Sequence, residues 1–332
     1  MKGIIINSTD PTYNLAVEET LFESLSSIGE EYFLLWQNAP SVIVGCHQNT
    51  AEEVNEEYVK THNIPVVRRV TGGGAVYHDL GNLNFSFLRF MEKGEDTSFS
   101  RYIMPIVEAL KSIGIQAEMS GRNDMLAEGK KFSGNAQKKS GQKLLQHGTL
   151  LVSLDTSHLT DILTGNPDKY QSKGIASHKS RVANLIDFVP HISKEELMQK
   201  IKTVLMDYLT DEQISLSNEL VQKAEKLANT KYRTWEWNFG KSPAFEVKFR
   251  KRFAFGAVDF YADINRGQIK SCRFYGDFFT NKDVKHIENT LQNCFFRKEE
   301  ICKVLSEIKA HEYFVGCGEN DLIDFFVDNL IA

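Results

Sequence analysis

Three consecutive glycines at residues 72–74 are flanked by Arg68 and Arg69 on one side and by His78 on the other. Glycine has no side chain, so the backbone N–H groups of such a loop can approach a phosphate or a carboxylate closely. An arginine beside the loop can add a bidentate contact to the same anion. A tight hairpin would also use glycine, but a single glycine would serve it. The run of three therefore favours an anion-binding loop.

A second candidate group surrounds Lys131, in a run of small and polar residues at 130–136 that follows Asp124. The pattern predicts that Lys131 lies on a strand. A lysine there can neutralise the negative charge that accumulates when a carboxylate meets a phosphate. A strand lysine that simply faces solvent is the usual alternative, and composition favours it for Lys130. For Lys131 both interpretations stay open on composition alone.

A third candidate is His147, which with Gly148 opens an apolar strand at 147–151. A histidine at that position can orient a ligand, although a lone histidine is more often structural. The sequence contains no GxxxxGK[ST] motif, and Tyr77 stands where a GxGxxG motif would need its last glycine. The motifs HExxH and GxSxG are absent as well. A P-loop NTPase or a Rossmann dinucleotide-binding protein is therefore not indicated.

Periodic patterns predict the elements that position these residues. Strands are predicted at 4–6, 32–36, 41–44, 66–70 and 83–87, with several more between 116 and 152. Helices are predicted from Asp10-Pro11, from the Thr50 capping box to about residue 62, and at 103–113, 193–209 and 220–228. Because only two long helices separate the strands of the first part, we expect an α+β fold with a mixed sheet.

The segment 165–180 contains little apolar periodicity, and a loop of that length inside a compact domain is usually functional or disordered. The segment 235–240 closes a first domain, for which we predict the bounds 1–245. Residues 241–252 are a candidate linker. Two alternating strands around the turn at 265–267, followed by helices near 284–294 and 301–308, predict a small second domain over 246–332.

Length and composition bound the class of protein. The 332 residues contain 39 Lys and Arg against 44 Asp and Glu, a net charge of −5, which argues against a nucleic-acid-binding protein. The five cysteines are odd in number and form no CxxC pair, so a disulfide framework and a structural zinc site are not indicated. No signal-peptide core and no stretch of about 18 apolar residues is present. We therefore expect a cytoplasmic protein that binds neither nucleic acid nor membrane.

The motifs together, in this order, resemble the lipoate-protein ligase family over nearly the whole chain. The matching runs are 14–19, 68–69, 72–82, 121–124, 131–136, 147–151, 173–175, 180–182 and 235–240. The resemblance implies an α+β fold: a biotin/lipoate-protein ligase-like catalytic domain with mixed sheets and helices. It also implies the small α+β C-terminal accessory domain of the bacterial two-domain enzymes of the ligase A type.

The resemblance further implies an ATP-dependent ligase with two half-reactions. Lipoate and MgATP would give lipoyl-AMP and pyrophosphate, and the lipoyl group would then pass to a specific lysine of an acceptor domain. The implied acceptors are the E2 subunits of 2-oxoacid dehydrogenases and the glycine cleavage H protein. ATP and Mg²⁺ are the implied cofactors, lipoate is the implied substrate, and a monomer is expected.

The same resemblance assigns roles to single residues. It makes Lys131 the catalytic residue, in contact with both ATP and lipoate, and it makes Asp124 a candidate metal ligand or a group that orients Lys131. The residues implied in binding ATP or the adenylate are Arg69, Thr71, Gly72, Gly73, Gly74, Ala75, Val76, Tyr77, Asp124, Lys131, Lys173, Ser177 and Arg181. Lipoate binding is implied for Trp36, Arg69, His78, Lys131, His147 and Gly148.

Two other classes of function remain open. An octanoyl or lipoyl transferase that uses no ATP would need a cysteine nucleophile. Only Cys46 precedes Cys272 in the chain, and it lies outside the three candidate segments, at a place where arginine is common in the family. A lipoate or nucleotide sensor without turnover is the second alternative, against which the intact Lys131 argues. Dependence on ATP separates the ligase from the transferase.

Overall fold

The computed structural model describes residues 1–163, 182–189, 191–239, 247–265 and 267–330. Elements are numbered along the described chain. The strands are β1 (Lys2–Ile5), β2 (Glu31–Trp36), β3 (Ser41–Val44), β4 (Val66–Arg68), β5 (Val76–His78), β6 (Asn82–Phe90), β7 (Ala117–Ser120), β8 (Asp124–Ala127), β9 (Lys130–Ser140), β10 (Lys143–Leu151), β11 (Glu212–Gln213), β12 (Val247–Phe253), β13 (Gly256–Asn265) and β14 (Gln268–Gly276).

The α-helices are α1 (Pro11–Ser24), α2 (Thr50–Glu53), α3 (Glu56–Thr61), α4 (Phe99–Ser112), α5 (Leu159–Ile162), α6 (Lys194–Leu209), α7 (Asn218–Leu227), α8 (Trp235–Asn238), α9 (Lys285–Leu291), α10 (Lys298–Glu307) and α11 (Asp321–Asn329). Short 3₁₀-helices occur at Leu185–Phe188 and Ala310–Tyr313, and a π-helical turn covers Ala228–Tyr232. None of the described helices combines the length and the apolar composition that a membrane crossing requires.

An eight-stranded mixed sheet carries most of the candidate site residues. Its order is β11-β1-β2-β6-β10-β9-β8-β7. Strand β1 runs parallel to both of its neighbours, whereas the pairs from β2–β6 to β8–β7 are antiparallel. A second, three-stranded sheet has the order β4-β3-β5. The expectation of an α+β fold with a mixed sheet is confirmed.

Helix α1 shows how local sequence produces the fold. Asp10 caps it, accepting a hydrogen bond from Thr12 N at 2.8 Å, and Pro11 occupies its first position. The apolar side chains Leu15 and Phe22 lie on the face that packs into the core, and both are essentially unexposed. The helix therefore covers one part of the large sheet.

Three elements differ from the sequence expectation. The single helix expected from Thr50 to about residue 62 is two short helices, because Val54 forms a β-bridge to Leu163 and Asn55 caps α3. Part of the expected linker 241–252 is strand β12, which pairs in antiparallel register with β13. Helix α11 was not predicted. In the first two cases a tertiary contact outweighs the local pattern.

Contacts divide the chain into two compact units. The first consists of Met1–Ile43, Ala51–Val70 and Ala75–Gly240, and the second of Val44–Thr50, Thr71–Gly74 and Lys241–Ala332. The core of the second unit is a cluster of aliphatic and aromatic side chains that includes the sheet β12-β13-β14. Phe260 meets Phe326 edge-on with ring centroids 4.8 Å apart, a favourable geometry for aromatic pairs.

Candidate functional site

Lys131 and Asp124 form an ion pair between the antiparallel strands β9 and β8, in which Asp124 lies opposite Gly134 and Lys131 opposite Leu126. Lys131 Nζ lies 2.8 Å from Asp124 Oδ1, and 41% of the lysine side chain remains exposed to solvent. The register shifts between Met125 and Leu126, so that Phe132 is an extra residue on β9. This irregularity brings Lys131 Nζ within 3.6 Å of where a Cβ on Gly134 would stand. The sheet thus offers an accessible ammonium group above a residue without a side chain.

The space above Gly134 allows a first test. The atoms nearest to a Cβ at this residue belong to Lys131 and Asp124, at ordinary contact distances of 3.6 to 3.9 Å, so Gly134→Ala fits the fold. We expect a melting temperature like that of the wild type and a pyrophosphate-forming rate that is about tenfold lower, because the methyl group displaces a ligand from the lysine. The exposed Ser140 on the same strand gives the control, Ser140→Ala. Wild-type turnover by Gly134→Ala would contradict a ligand site here.

His78 is the second candidate residue, buried at the end of β5. Asn38 Nδ2 lies 3.1 Å from its Nδ1, and the ring of Trp36 stands edge-on with centroids 6.5 Å apart. Burial, together with smaller contributions from the neighbouring Arg69 and His147, lowers the pKa of His78 to about 3. The structure therefore brings four of the residues implied in lipoate binding into one neighbourhood: Trp36, Arg69, His78 and His147.

A buried glutamate organises this neighbourhood. Glu18 on α1 is fully buried, and its carboxylate lies 2.9 and 3.0 Å from His147 Nδ1 on β10. Ser86 Oγ on β6 donates to the same carboxylate at 2.6 Å and accepts from Trp36 Nε1 at 3.0 Å. One carboxylate thus fixes the orientation of a histidine and, through a serine, of the tryptophan on β2.

Sequence reasoning gave Glu18 no role, although a signal for it exists. Leu15 and Phe22 follow helical spacing on the buried face of α1, and Glu18 occupies the position between them, three residues after one and four before the other. A charged residue in an apolar stripe must have partners in the core. The neighbouring Glu19 binds Lys231 Nζ at 2.7 Å and Tyr232 Oη at 2.8 Å, in the π-helical turn.

The two arginines before the glycines have different surroundings. Arg69 is buried, and its Nη1 donates to Ile43 O at 3.1 Å. Arg68 belongs to a set of hydrogen bonds with α8 that we call the Arg68 clamp, made of Arg68, Trp237 and Asn238. Arg68 N donates to Asn238 Oδ1 at 2.8 Å, Trp237 Nε1 donates to Arg68 O at 2.7 Å, and Arg68 Nε donates to Trp237 O at 2.9 Å. The clamp fixes the backbone immediately before Arg69.

The Arg68 clamp allows a second test. Besides accepting from Arg68 N, Asn238 donates to Tyr232 O at 2.7 Å and to Thr234 O at 3.1 Å, and it is buried. Asn238→Ala leaves these groups without their partner, so we expect a loss of about 2–4 kcal/mol in the free energy of unfolding. The exposed Asn229 provides the control, Asn229→Ala. Urea denaturation measures both, and equal midpoints would show that the clamp adds nothing to stability.

Two of the three glycines at 72–74, Gly72 and Gly73, have structural reasons of their own. A Cβ on Gly72 would stand 2.3 Å from Phe278 O, and Gly73 has a φ of +90°. The fold therefore favours glycine at residues 72 and 73 with or without a bound anion, and anion binding by this loop stays a prediction. Thr71 O accepts a hydrogen bond from Cys46 N at 2.9 Å. Val76 and Tyr77 lie on β5, directly after Ala75.

The remaining predicted site residues lie as follows in the structure. Gly148 lies on β10, where a Cβ would be 2.4 Å from Phe85 Cζ, so this residue has no room for a side chain. Lys173, Ser177 and Arg181 lie outside the described residues. Within the described residues, no group of three or more His, Cys, Asp or Glu side chains could hold a metal ion. At the predicted metal position the described residues supply one carboxylate, that of Asp124, which lies beside Lys131.

Comparison with protein families gives two matches. Residues 10–206 match the model of the lipoyl protein ligase A/B catalytic domain, and residues 242–326 match that of the bacterial lipoate protein ligase C-terminus. The chain is 42% identical over 318 residues to lipoate–protein ligase 1 of Staphylococcus aureus, covering 96% of this chain and 97% of the relative. It is 37% identical over 322 residues to the lipoate-protein ligase LplJ of Bacillus subtilis, with the same shares covered.

Comparison with solved structures also finds lipoate-protein ligases. The chain resembles LipL1 of P. falciparum in complex with lipoate, with a TM-score of 0.76 and 28% identity over 92% of this chain and 94% of that one. It resembles a lipoate-protein ligase A bound with ATP, with a TM-score of 0.61 and 30% identity over 72% and 99%. It also resembles the bipartite ligase of Thermoplasma acidophilum, reported with its E2 lipoyl domain, with a TM-score of 0.65 and 30% identity over 74% and 98%. The expected biotin/lipoate ligase-like fold is confirmed.

Proposed function

The chain belongs to the lipoate-protein ligase family and is a ligase, and from that premise we propose that it activates lipoate with ATP and transfers the lipoyl group to lysines of lipoyl domains. The observation that carries the proposal is the accessible Lys131 ammonium on β9, 2.8 Å from Asp124 and above a glycine. A fixed cation in that setting can bring two anions together.

In the first half-reaction, an oxygen of the lipoate carboxylate forms a bond to the α-phosphorus of ATP while the bond from that phosphorus to pyrophosphate breaks. Both reactants are anions, so their approach needs positive charge. Lys131 would supply it to the carboxylate and the α-phosphate, and Arg69 would add a second, permanent cation. The backbone and side chains of residues 71–77 would bind the ATP phosphates, and Lys173, Ser177 and Arg181 the adenylate.

In the second half-reaction, the uncharged ε-amine of an acceptor lysine attacks the acyl carbon of lipoyl-AMP. The acyl–oxygen bond breaks, AMP leaves with that oxygen, and the amine loses a proton as the amide forms. Trp36, His78, His147 and Gly148 would enclose the lipoyl chain, with Glu18 holding the first and third of these in place. A site prepared in this way would limit the loss of the activated acyl group to water.

Magnesium fits the donor set as a partner of the nucleotide. Mg²⁺ commonly takes one or two protein carboxylates together with substrate phosphates, and Asp124 supplies one carboxylate. Bound there, the ion would offset the charge of the phosphates. The carboxylate holds Lys131 in the structure, so Asp124 would act on the reaction also by orienting that lysine.

We further propose E2 subunits of 2-oxoacid dehydrogenases and the glycine cleavage H protein as acceptors, with a monomeric enzyme over the domains 1–245 and 246–332. The E2 lipoyl domain reported with the T. acidophilum relative supports the first class of acceptor. The two compact units and the separate family match over residues 242–326 support a distinct C-terminal part.

One experiment tests the proposed function. The purified protein is mixed with MgATP, lipoate and an unmodified lipoyl domain, and the acceptor is weighed by mass spectrometry. We expect one added lipoyl group per acceptor domain and one pyrophosphate released per modification. Replacing ATP and lipoate with an acyl thioester separates the ligase from a thioester-using transferase, because only the transferase would modify the acceptor from that donor. An unmodified acceptor under all conditions would refute the proposal.

A further inference from the structure

A chain of three buried side chains fixes the protonation of His78. Asn14 Nδ2 donates to Ser8 O and to Gln37 O, both at 2.9 Å, so its amide orientation is determined by two carbonyl groups. Asn38 Oδ1 is a third oxygen beside the same Nδ2, at 3.0 Å, and the three oxygens share its two protons. Because an oxygen of Asn38 faces this donor, Asn38 Nδ2 is the atom that donates to His78 Nδ1 at 3.1 Å. All three side chains are buried.

This chain determines which ring nitrogen of His78 carries the proton. Because Nδ1 accepts from Asn38, the proton of the neutral ring must be on Nε2. Burial lowers the pKa of His78 to about 3, so the ring is neutral at every pH well above that value, including pH 7. His78 is therefore a fixed donor with no charge.

The donor at Nε2 has no hydrogen-bond partner among the described residues, although the atom is buried. A buried donor without a partner costs free energy, so such a group in a native protein calls for an explanation. His78 stands beside Trp36, within electrostatic reach of Arg69 and His147. A ligand that enters this neighbourhood can supply the missing acceptor.

Resting on the proposed function, we propose that His78 Nε2–H donates to a sulfur atom of the lipoate dithiolane ring and thereby favours lipoate over octanoate. The carboxylate end of the substrate is an anion and matches the cations Lys131 and Arg69. The dithiolane sulfurs are uncharged, weak acceptors, and they suit an uncharged donor in an apolar environment beside an aromatic ring. Octanoate has no acceptor at that end and would leave the donor unpaired.

Three acids that share the carboxylate test this assignment: lipoate, octanoate, and the analogue of lipoate in which cyclopentane replaces the dithiolane ring. Their dissociation constants are measured by calorimetry, and their kcat/KM values by pyrophosphate release. For the wild type we expect lipoate to be preferred over the cyclopentane analogue by about tenfold, the order expected for one buried donor left unpaired. The analogue controls for ring shape.

Two variants locate the effect. His78→Leu should reduce the preference for lipoate over the analogue to near unity, mainly by weakening lipoate, whereas His78→Gln retains an N–H donor and should keep a preference. His62→Leu removes an exposed histidine and is the matched control. If His78→Leu weakens all three acids equally, the donor serves the carboxyl end and the inference is wrong. An unchanged preference also overturns it, while the ligase proposal survives either result.

Nuclear magnetic resonance of ¹⁵N-histidine protein gives a direct readout. We expect the His78 signals to show the Nε2–H tautomer between about pH 5 and pH 8 without a titration step. The Nε2–H proton should shift on addition of lipoate and stay in place with the cyclopentane analogue. An Nδ1–H tautomer, or equal shifts with both acids, would contradict the proposal.

Discussion

Replacing Lys131 with alanine should slow pyrophosphate release from ATP and lipoate by about 100- to 1000-fold, the cost usually found for the loss of one preorganised group that stabilises developing charge. The fold should survive, because the ion pair with Asp124 is partly exposed to solvent and such pairs contribute at most about 1 kcal/mol. Rapid quenching and quantification of lipoyl-AMP, together with a melting curve, separate the two effects.

The neighbouring lysine supplies the control for this experiment. Lys130 is exposed on the same strand, so Lys130→Ala removes the same charge one residue away and should react nearly as the wild type does. Wild-type rates for Lys131→Ala would remove Lys131 from the mechanism. Equal losses in both variants would mean that only the general positive charge of β9 matters, and that the ion pair with Asp124 has no role in the reaction.

The second large effect is expected at Glu18. Glu18→Ala removes the acceptor of His147 Nδ1 and of Ser86 Oγ and leaves a cavity under α1, so we expect the free energy of unfolding to fall by about 3–5 kcal/mol. Turnover of the remaining folded protein should fall too, because the orientation of His147 is lost. Chemical denaturation and single-turnover kinetics measure the two changes.

A conservative variant distinguishes hydrogen bonding from packing at this position. Glu18→Gln keeps the volume and one acceptor oxygen and should recover much of the stability, although not the charge. Glu23→Ala on the same helix removes a glutamate from an exposed position and should change stability by less than about 0.5 kcal/mol. If Glu18→Ala is as stable as Glu23→Ala, the buried carboxylate is not holding the strands together.

Elements with a strong local pattern could be predicted from the sequence. Helix α1 begins at Pro11 as the Asp10-Pro11 pair indicated, and α6 ends at Leu209 as predicted. The prediction of a single helix over residues 50–62 was wrong, because the helix is interrupted at Val54, which pairs with Leu163 more than a hundred residues away. The strand β12 was missed because its pairing with β13, rather than its own composition, makes it a strand.

Some features of the candidate site could likewise be predicted from the sequence, and others could not. Lys131 and Asp124 were singled out from sequence, and they lie 2.8 Å apart. The orientation of His78 could not be predicted, because it depends on Asn14 and Asn38, which come from different parts of the chain. The register shift at Phe132 could not be predicted from the sequence either. An alternating strand pattern is present on both sides of a one-residue bulge, so the pattern does not show where the extra residue lies.

The Arg68 clamp has a consequence for the behaviour of the protein at high concentration. Strand β4 lies at the edge of its three-stranded sheet, and edge strands with unpaired N–H and C=O groups recruit strands from other molecules. At Arg68 both groups are already bonded, to Asn238 Oδ1 and Trp237 Nε1, so an incoming strand finds neither available. The side chains of Asn238 and Trp237 thus keep another strand from pairing with β4 at Arg68.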